Sequence, residues 1–302
     1  MSQLTKRGGK VIGLSLGVTA GIVAAMTWRQ RQHARMTSPL RRSTSDERVA
    51  LITGASGGIG AAYAQALARE GYALILVARR EARLQALADE LTQRYHVHTQ
   101  VLVADLADPA GVARVEASIA ETNTLAFLVN NAGLGALGPF VEADMTRHEA
   151  MIHVHVNAAL RLTRAALPGM LARNDGAIVN VASLMAFYPL PGSATYAATK
   201  AGLQVFTEVL HQELMGTNVR VQALCPGFVR TEFHPANNIT EQGVPAFAWM
   251  SAESVVAQSL RDLDHGRVIS VPGLGYRLLA LISGLVPRRL LYSFGYRTRR
   301  YC

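Results

Sequence analysis

Tyr196 and Lys200 stand four residues apart in ATYAATKAG. On a helix that spacing sets both side chains on one face. A phenol ionises near pKa 10 in water, and a neighbouring ammonium favours the phenolate and lowers that value. Such a phenol can give a proton to a carbonyl oxygen or take one from an alcohol. Ser183 lies 13 residues earlier, at the end of an apolar run, and can hydrogen-bond the same substrate oxygen. Lys200 can also hold ribose hydroxyls. Asn157, early in a long helical stretch, can hold a water that links Lys200 to solvent. Asn157, Ser183, Tyr196 and Lys200 are therefore the catalytic candidates. A Tyr and a Lys at this spacing are by themselves common on helix surfaces, so the weight falls on the elements that position them.

Those elements alternate. Apolar, strand-like runs occupy 48–53, 73–78, 97–104, 126–130, 176–182, 218–224 and 267–271. Amphipathic stretches lie between them, near 58–70, 81–94, 109–121, 143–173, 194–215 and 251–263. Continuous apolar strands separated by helices predict a parallel sheet covered on both faces. The expected fold is α/β: one Rossmann-type doubly wound domain over 48–272, with a seven-stranded parallel sheet.

The first strand runs into Thr53-Gly54-Ala55-Ser56-Gly57-Gly58-Ile59-Gly60 and then a helix. Glycines there let the chain turn tightly and let backbone amides approach a pyrophosphate, while the helix N-terminus points at the phosphates. The second strand ends in Val77-Ala78-Arg79-Arg80. It offers no carboxylate for a ribose diol, but two guanidinium groups for a 2′-phosphate. Arg79 is the favoured partner, with Arg80 as helper, and the cofactor expected is NADP(H). Asp105 closes the third strand, placed either to accept from an adenine amino group or to cap the next helix. Asn130-Asn131-Ala132-Gly133 follows the fourth strand; its Asn side chains can bridge neighbouring strands and Gly133 can clear room for the cofactor.

Taken together these motifs resemble the short-chain dehydrogenase/reductase family over about 48–272. The glycine pattern is Thr53 to Gly60, the adenine-side acid is Asp105, and NNAG is 130–133. The resemblance places the family's catalytic tetrad on Asn157, Ser183, Tyr196 and Lys200. It implies a cofactor-binding set of Gly54, Ser56, Gly58, Ile59, Gly60, Arg79, Arg80, Asp105, Leu106, Asn131, Ala132, Gly133, Tyr196, Lys200, Pro226, Gly227, Val229 and Thr231. In that set Pro226-Gly227 forms the turn after the sixth strand, and Thr231 reaches the nicotinamide carboxamide. It also implies a homodimer or homotetramer built on helices 143–173 and 194–215.

Composition excludes several other classes. The chain has 302 residues, 50% hydrophobic and 17% charged, which is too apolar for a disordered protein. Two cysteines, Cys225 and Cys302, exclude a disulfide scaffold and a cysteine-based metal cluster; no metal site is expected. The net charge of +9 is concentrated at the ends: +7 over 1–48 and +7 over 266–302, leaving −5 for 49–265. A nucleic-acid partner would more often face charge on the folded domain. Basic ends beside apolar segments suit an anionic membrane surface instead.

The N-terminal part, 1–47, reads as an anchor candidate and a polar, basic linker. Val11 to Trp28 is free of charge and, as a helix, about 27 Å long, near the ~30 Å hydrocarbon core. It is read as a transmembrane helix, with a cleaved signal peptide or a merely peripheral segment as the alternatives. The arginines that follow it predict a catalytic domain on the cytoplasmic side; without an anchor the chain would be cytoplasmic. Residues 273–302 form a basic, leucine-rich extension, able to lie on a membrane, cover the substrate mouth or make a dimer contact.

Leu134, Leu184, Phe187, Tyr188, Phe228 and Phe233 are the expected pocket wall, with a substrate lid over 232–250. The expected activity is NADPH-dependent reduction of a lipophilic ketone or aldehyde, with Tyr196 as proton donor. A reductase of small polar carbonyls, an alcohol dehydrogenase, and a non-catalytic NADP(H)-binding regulator are the alternatives.

Overall fold

A computed structural model describes residues 48–136, 138–233, 244–286 and 289. The sheet is built from β1 (Val49–Thr53), β2 (Ala73–Ala78), β3 (Thr99–Val103), β4 (Leu125–Asn130), β5 (Gly176–Val181), β6 (Val219–Leu224) and a short last strand, β9 (Ile269–Ser270). The two-residue strands β7 (Val229–Arg230) and β8 (Met250–Ser251) form a separate parallel ladder. The main sheet runs β3-β2-β1-β4-β5-β6-β9, and every neighbouring pair is parallel. Strands β4, β5 and β6 are buried along their whole length. That is why β4 and β5 read as nearly continuous apolar runs rather than as alternating ones, whereas β6 buries Arg220 and Gln222 among its apolar residues.

The connecting helices are α1 (Gly58–Arg69), α2 (Glu81–Tyr95), α3 (Pro109–Glu121), α4 (Met145–Ile152), α5 (Ala159–Arg173), α6 (Ala194–Glu213) and α7 (Ala252–Asp264), with α8 (Leu274–Leu285) after the sheet. Local chemistry sets their starts. The Asp108 carboxylate accepts from the Ala110 amide, and Pro109 fills the first helical position of α3. Asp144 and Ser251 cap α4 and α7 in the same way. One core cluster lies under α3 and α5, from Val112 and Val115 to Leu162 and Met170. On the other face Tyr63 of α1 and Ser259 of α7 share a buried hydrogen bond.

The expected helix near 143–173 is continuous from Met145 to Arg173, with a π turn, His153–Ala158, between α4 and α5. One expectation needs correction. The transmembrane helix is withdrawn, because no helix among the described residues is long and apolar enough to cross a membrane. The segment 11–28 itself lies outside the described residues, as do 287–288 and 290–302 of the basic extension.

The strand order reverses between β1 and β4. In an open parallel sheet the crevice beyond the carboxyl ends of such strands is where a ligand binds. The glycine turn follows β1, 131–134 follows β4, Ser183 follows β5 and 225–231 follows β6. All four reach that one end.

Candidate active site

The glycine turn is shaped by its own close contacts. Gly54 and Gly58 have φ of +67° and +56°, a region that favours glycine. A Cβ on Gly60 would lie 2.3 Å from the Gly54 carbonyl oxygen, and one on Gly58 would lie 3.0 Å from the Thr231 methyl. Asn131 fastens the loop after β4 to this turn: its side-chain amide donates to the Thr53 and Gly54 carbonyls at 2.9 and 3.2 Å. The Thr53 hydroxyl accepts from the Asn131 and Ala132 amides. The neighbouring Asn130 is buried and donates to Asn180 at 2.8 Å, bridging β4 and β5.

Beside the turn lies a cationic cluster. Arg80, not the favoured Arg79, reaches the glycine loop; its guanidinium donates to the Ser56 hydroxyl at 2.9 and 3.1 Å and to the Ser56 carbonyl. Arg79 instead pairs with Asp105 at 3.7 Å. Asp105 also accepts from the Ala107 amide within its own turn; the next helix is capped by Asp108 instead. Two residues of this cluster escaped sequence reasoning. Glu232 binds both Arg80, at 2.8 Å, and Arg83, and those arginines hold its carboxyl below the usual range. A cluster that already grips a carboxylate can take another anion. Two guanidinium groups and a serine hydroxyl beside a glycine turn therefore fit the 2′-phosphate of NADP(H).

The chemical residues converge at β5 and α6. Lys200 is buried and donates to the Val181 carbonyl at 2.7 Å. Tyr196 lies close enough to Ser183 for the serine hydroxyl to ease the phenol's ionisation, and that hydroxyl accepts from the Met185 amide. The Lys200 ammonium lies 5.8 Å from the centroid of the Tyr196 ring. Burial pushes the lysine down to about 8. It pushes the phenol up, with the neighbouring Ser183 hydroxyl opposing. The net direction for Tyr196 is upward, and removal from water is the larger cause. Cys225 lies against this group, buried and pushed up to about 12, mainly by burial.

Asn157 does not join the cluster. It is exposed and pairs with His153 one turn away. His155 is the π-turn residue that points inward, only 1% exposed, with its ring edge-on to Tyr196 at 5.6 Å. The buried sequence His148, Met151, His155, Ala158, Leu162 keeps a spacing of three to four. That period would have favoured 155 over 157 for the inward face.

The remaining residues are spread around the crevice. Ile59 and Ala132 are half-buried beside the glycine turn, and Leu106 and Val229 are buried in the packing beneath. The Pro226 carbonyl accepts from the Leu184 amide. The expected wall divides in two. Leu184 and Phe187 pack on a small cluster with Cys225 and Val271, whereas Phe233 faces Tyr196 at 6.1 Å. Phe228 packs on Trp249 at 5.3 Å, a wall residue the sequence did not flag. The extension contributes α8. Tyr276 donates to the Ala248 carbonyl at 2.6 Å and accepts from the Phe228 amide, and Tyr188 donates to the Leu279 carbonyl. Among the described residues no cluster of His, Cys, Asp or Glu could hold a metal.

A glycine turn at the switch point of a parallel sheet, a guanidinium cluster beside it and a buried Tyr-Lys pair define a dinucleotide-dependent oxidoreductase. The chain belongs to the short chain dehydrogenase family, which residues 48–242 match. It is 43% identical over 218 residues to sulfoacetaldehyde reductase 2 of Chromohalobacter salexigens, covering 71% of this chain and 86% of that protein. It is 33% identical over 249 residues to the very-long-chain 3-oxoacyl-CoA reductase of Bos taurus, covering 81% and 77%. A solved short-chain dehydrogenase from Sphingobium yanoikuyae, in complex with NADPH, superposes with a TM-score of 0.73 at 36% identity, covering 82% of this chain and 95% of that one.

Proposed function

We propose that this NADPH-dependent oxidoreductase reduces a lipophilic ketone or aldehyde to its alcohol, with Tyr196 as proton donor. Carbonyl reduction is the activity of the class; the substrate type and the residue roles are the finer reading. One observation carries it: Tyr196 stands between Lys200, 5.8 Å from its ring centroid, and the ring of Phe233 at 6.1 Å, with Ser183 close by.

Bound NADPH supplies the hydride from its nicotinamide ring. The amides of Gly54 to Gly60 and the start of α1 would hold the pyrophosphate. Ser56, Arg80 and Arg83 would hold the 2′-phosphate end, with Arg79 and Asp105 at the rim. The loop Asn131, Ala132 and Gly133 and the turn Pro226, Gly227, Val229 and Thr231 would border the rest. Because burial raises Tyr196, its hydroxyl stays protonated at neutral pH and serves as a donor, the role that reduction requires. The Ser183 oxygen accepts from an amide, which leaves its own proton to support the substrate oxygen as negative charge builds there. Lys200, held on Val181, steadies the phenolate left behind.

Phe228, Trp249 and Phe233 give the crevice an apolar side, which favours a large apolar group on the carbonyl carbon. Turnover of NADPH with a panel of long-chain, bulky and short polar carbonyls tests the reading. Higher kcat/KM for the apolar members supports it; turnover confined to short polar or anionic ones refutes it. Leu274, Leu278, Leu281 and Leu285 of α8 are exposed, and no acid occurs from 266 to 302. Both favour contact with an anionic lipid surface, which co-sedimentation with vesicles containing anionic lipid would detect. Exposed Val205 and Val209 on α6 favour a homo-oligomer through that helix, measurable by light scattering.

A further inference from the structure

We infer that His155 is a positioning residue for the Tyr196–Lys200 pair, a neutral imidazole whose two nitrogens tie the loop after β4 to the first turn of α6. The inference rests on the reductase reading for its kinetic consequence, but its geometry stands apart from it.

The hydrogen bonds assign the protons. The Leu134 amide donates to Nε2 at 3.0 Å. A backbone N–H can only donate, so Nε2 carries no proton and the neutral ring holds its hydrogen on Nδ1. Nδ1 lies 3.0 Å from the Thr199 hydroxyl oxygen and therefore donates to it. The Thr199 hydroxyl donates onward to the Tyr196 carbonyl at 2.9 Å. A one-directional chain thus runs from the Leu134 amide through the imidazole to the backbone of the proton donor itself. Gly133 admits the ring, since a Cβ there would lie 3.2 Å from Nε2.

Protonation would undo this arrangement. An imidazolium presents an N–H to the Leu134 N–H and loses that bond. The titratable groups facing the ring are Tyr196, edge-on from the start of α6, and Lys200 one turn further. A second cation beside the Lys200 ammonium in a buried site is repelled. Burial and Lys200 hold the imidazole well below its ordinary range, in keeping with the tautomer that the hydrogen bonds require. Asn157, expected to serve this region, is on the outside of the same turn.

The test uses the full chain with His155→Asn, His155→Leu and Thr199→Val. An asparagine amide can accept from Leu134 and donate to Thr199, so His155→Asn should retain kcat within about threefold. His155→Leu leaves two polar groups unpaired and should lower kcat by roughly 10- to 100-fold, with KM nearly unchanged. Thr199→Val breaks the chain with the ring still in place and should lower kcat in the same direction, which decides the matter where His155→Leu does not fold. Wild-type kcat in Thr199→Val, or no rescue by asparagine in a folded His155→Asn, overturns the inference. Nitrogen-15 NMR of the histidine-labelled apo protein reads the tautomer without any substrate. A protonated Nδ1 and bare Nε2 near pH 7 are expected; the opposite tautomer or an imidazolium overturns the assignment. Absence of carbonyl turnover by the wild type would count against the reductase reading alone, because the spectrum judges the network independently.

Discussion

The ring of Tyr276 fills the space that any side chain on Gly227 would need: a Cβ there would come within 2.3 Å of the ring carbons. The pair joins the turn after β6 to α8, and Tyr276 further bonds Phe228 and Ala248. Gly227→Ala must therefore push α8 off the turn, at a cost of about 1–3 kcal/mol for overpacking. The expected result is a melting temperature lower by several degrees and a reduced kcat/KM for bulky carbonyls. Adding Tyr276→Ala should recover part of both. Additive losses in the double variant would show that the two residues do not share this contact.

Arg80 is joined to both Ser56 and Glu232, which gives it the central place in the cationic cluster. Arg80→Ala should weaken NADPH binding by roughly 10- to 100-fold, the effect of losing hydrogen bonds to a charged group, and leave NADH nearly unaffected. Glu232→Gln should tighten NADPH by removing a competing carboxylate. Fluorescence titrations at two salt concentrations measure both, and the Arg80 effect should shrink with salt because the group is exposed. Equal losses for both cofactors would count against a 2′-phosphate site at Arg80.

Sequence reading succeeded where a property is local. The inner sheet strands announce themselves because burial on both faces demands runs such as ALILVA and AFLVN. Tyr196, Lys200 and Ser183 come together because a helical turn and the end of β5 fix them. What failed is long-range. Glu232 meets Arg80 from 152 positions away, and no spacing rule connects them. Tyr276 reaches Gly227 only because α8 folds back over the turn. Asn157 was preferred for its residue type, whereas the buried period of the helix selects His155. Arg79 and Arg80 are adjacent in sequence, and only the backbone at the end of β2 decides which one meets Ser56.

Tyr196→Phe removes the hydroxyl proposed to give its proton to the substrate oxygen, and it leaves the ring packing against His155 and Phe233 in place. Turnover should fall by about 10²- to 10⁴-fold, the usual weight of a general acid, while NADPH affinity changes less than about threefold. Steady-state rates and a binding titration on the same preparation separate the two. A variant that turns over at the wild-type rate would remove Tyr196 from the chemistry.

The buried imidazole also sets an acid limit on the fold itself. His155 holds its pKa well below the ordinary 6.5, first through burial and then through Lys200. In the window between that folded-state value and about 6.5, the unfolded chain binds a proton that the folded chain refuses. Unfolding then takes up protons, so stability is full above about pH 6.5 and declines as pH falls through the window. His155→Asn has no such group, so its stability should change less between pH 7 and 5 than that of the wild type. Carboxylates titrating lower in the range act on both proteins alike, which makes the difference between the two curves the measure of His155. Urea midpoints at half-unit pH steps supply it. Parallel curves from pH 7 to 5 would mean that the imidazole is no harder to protonate in the folded protein than in the open chain.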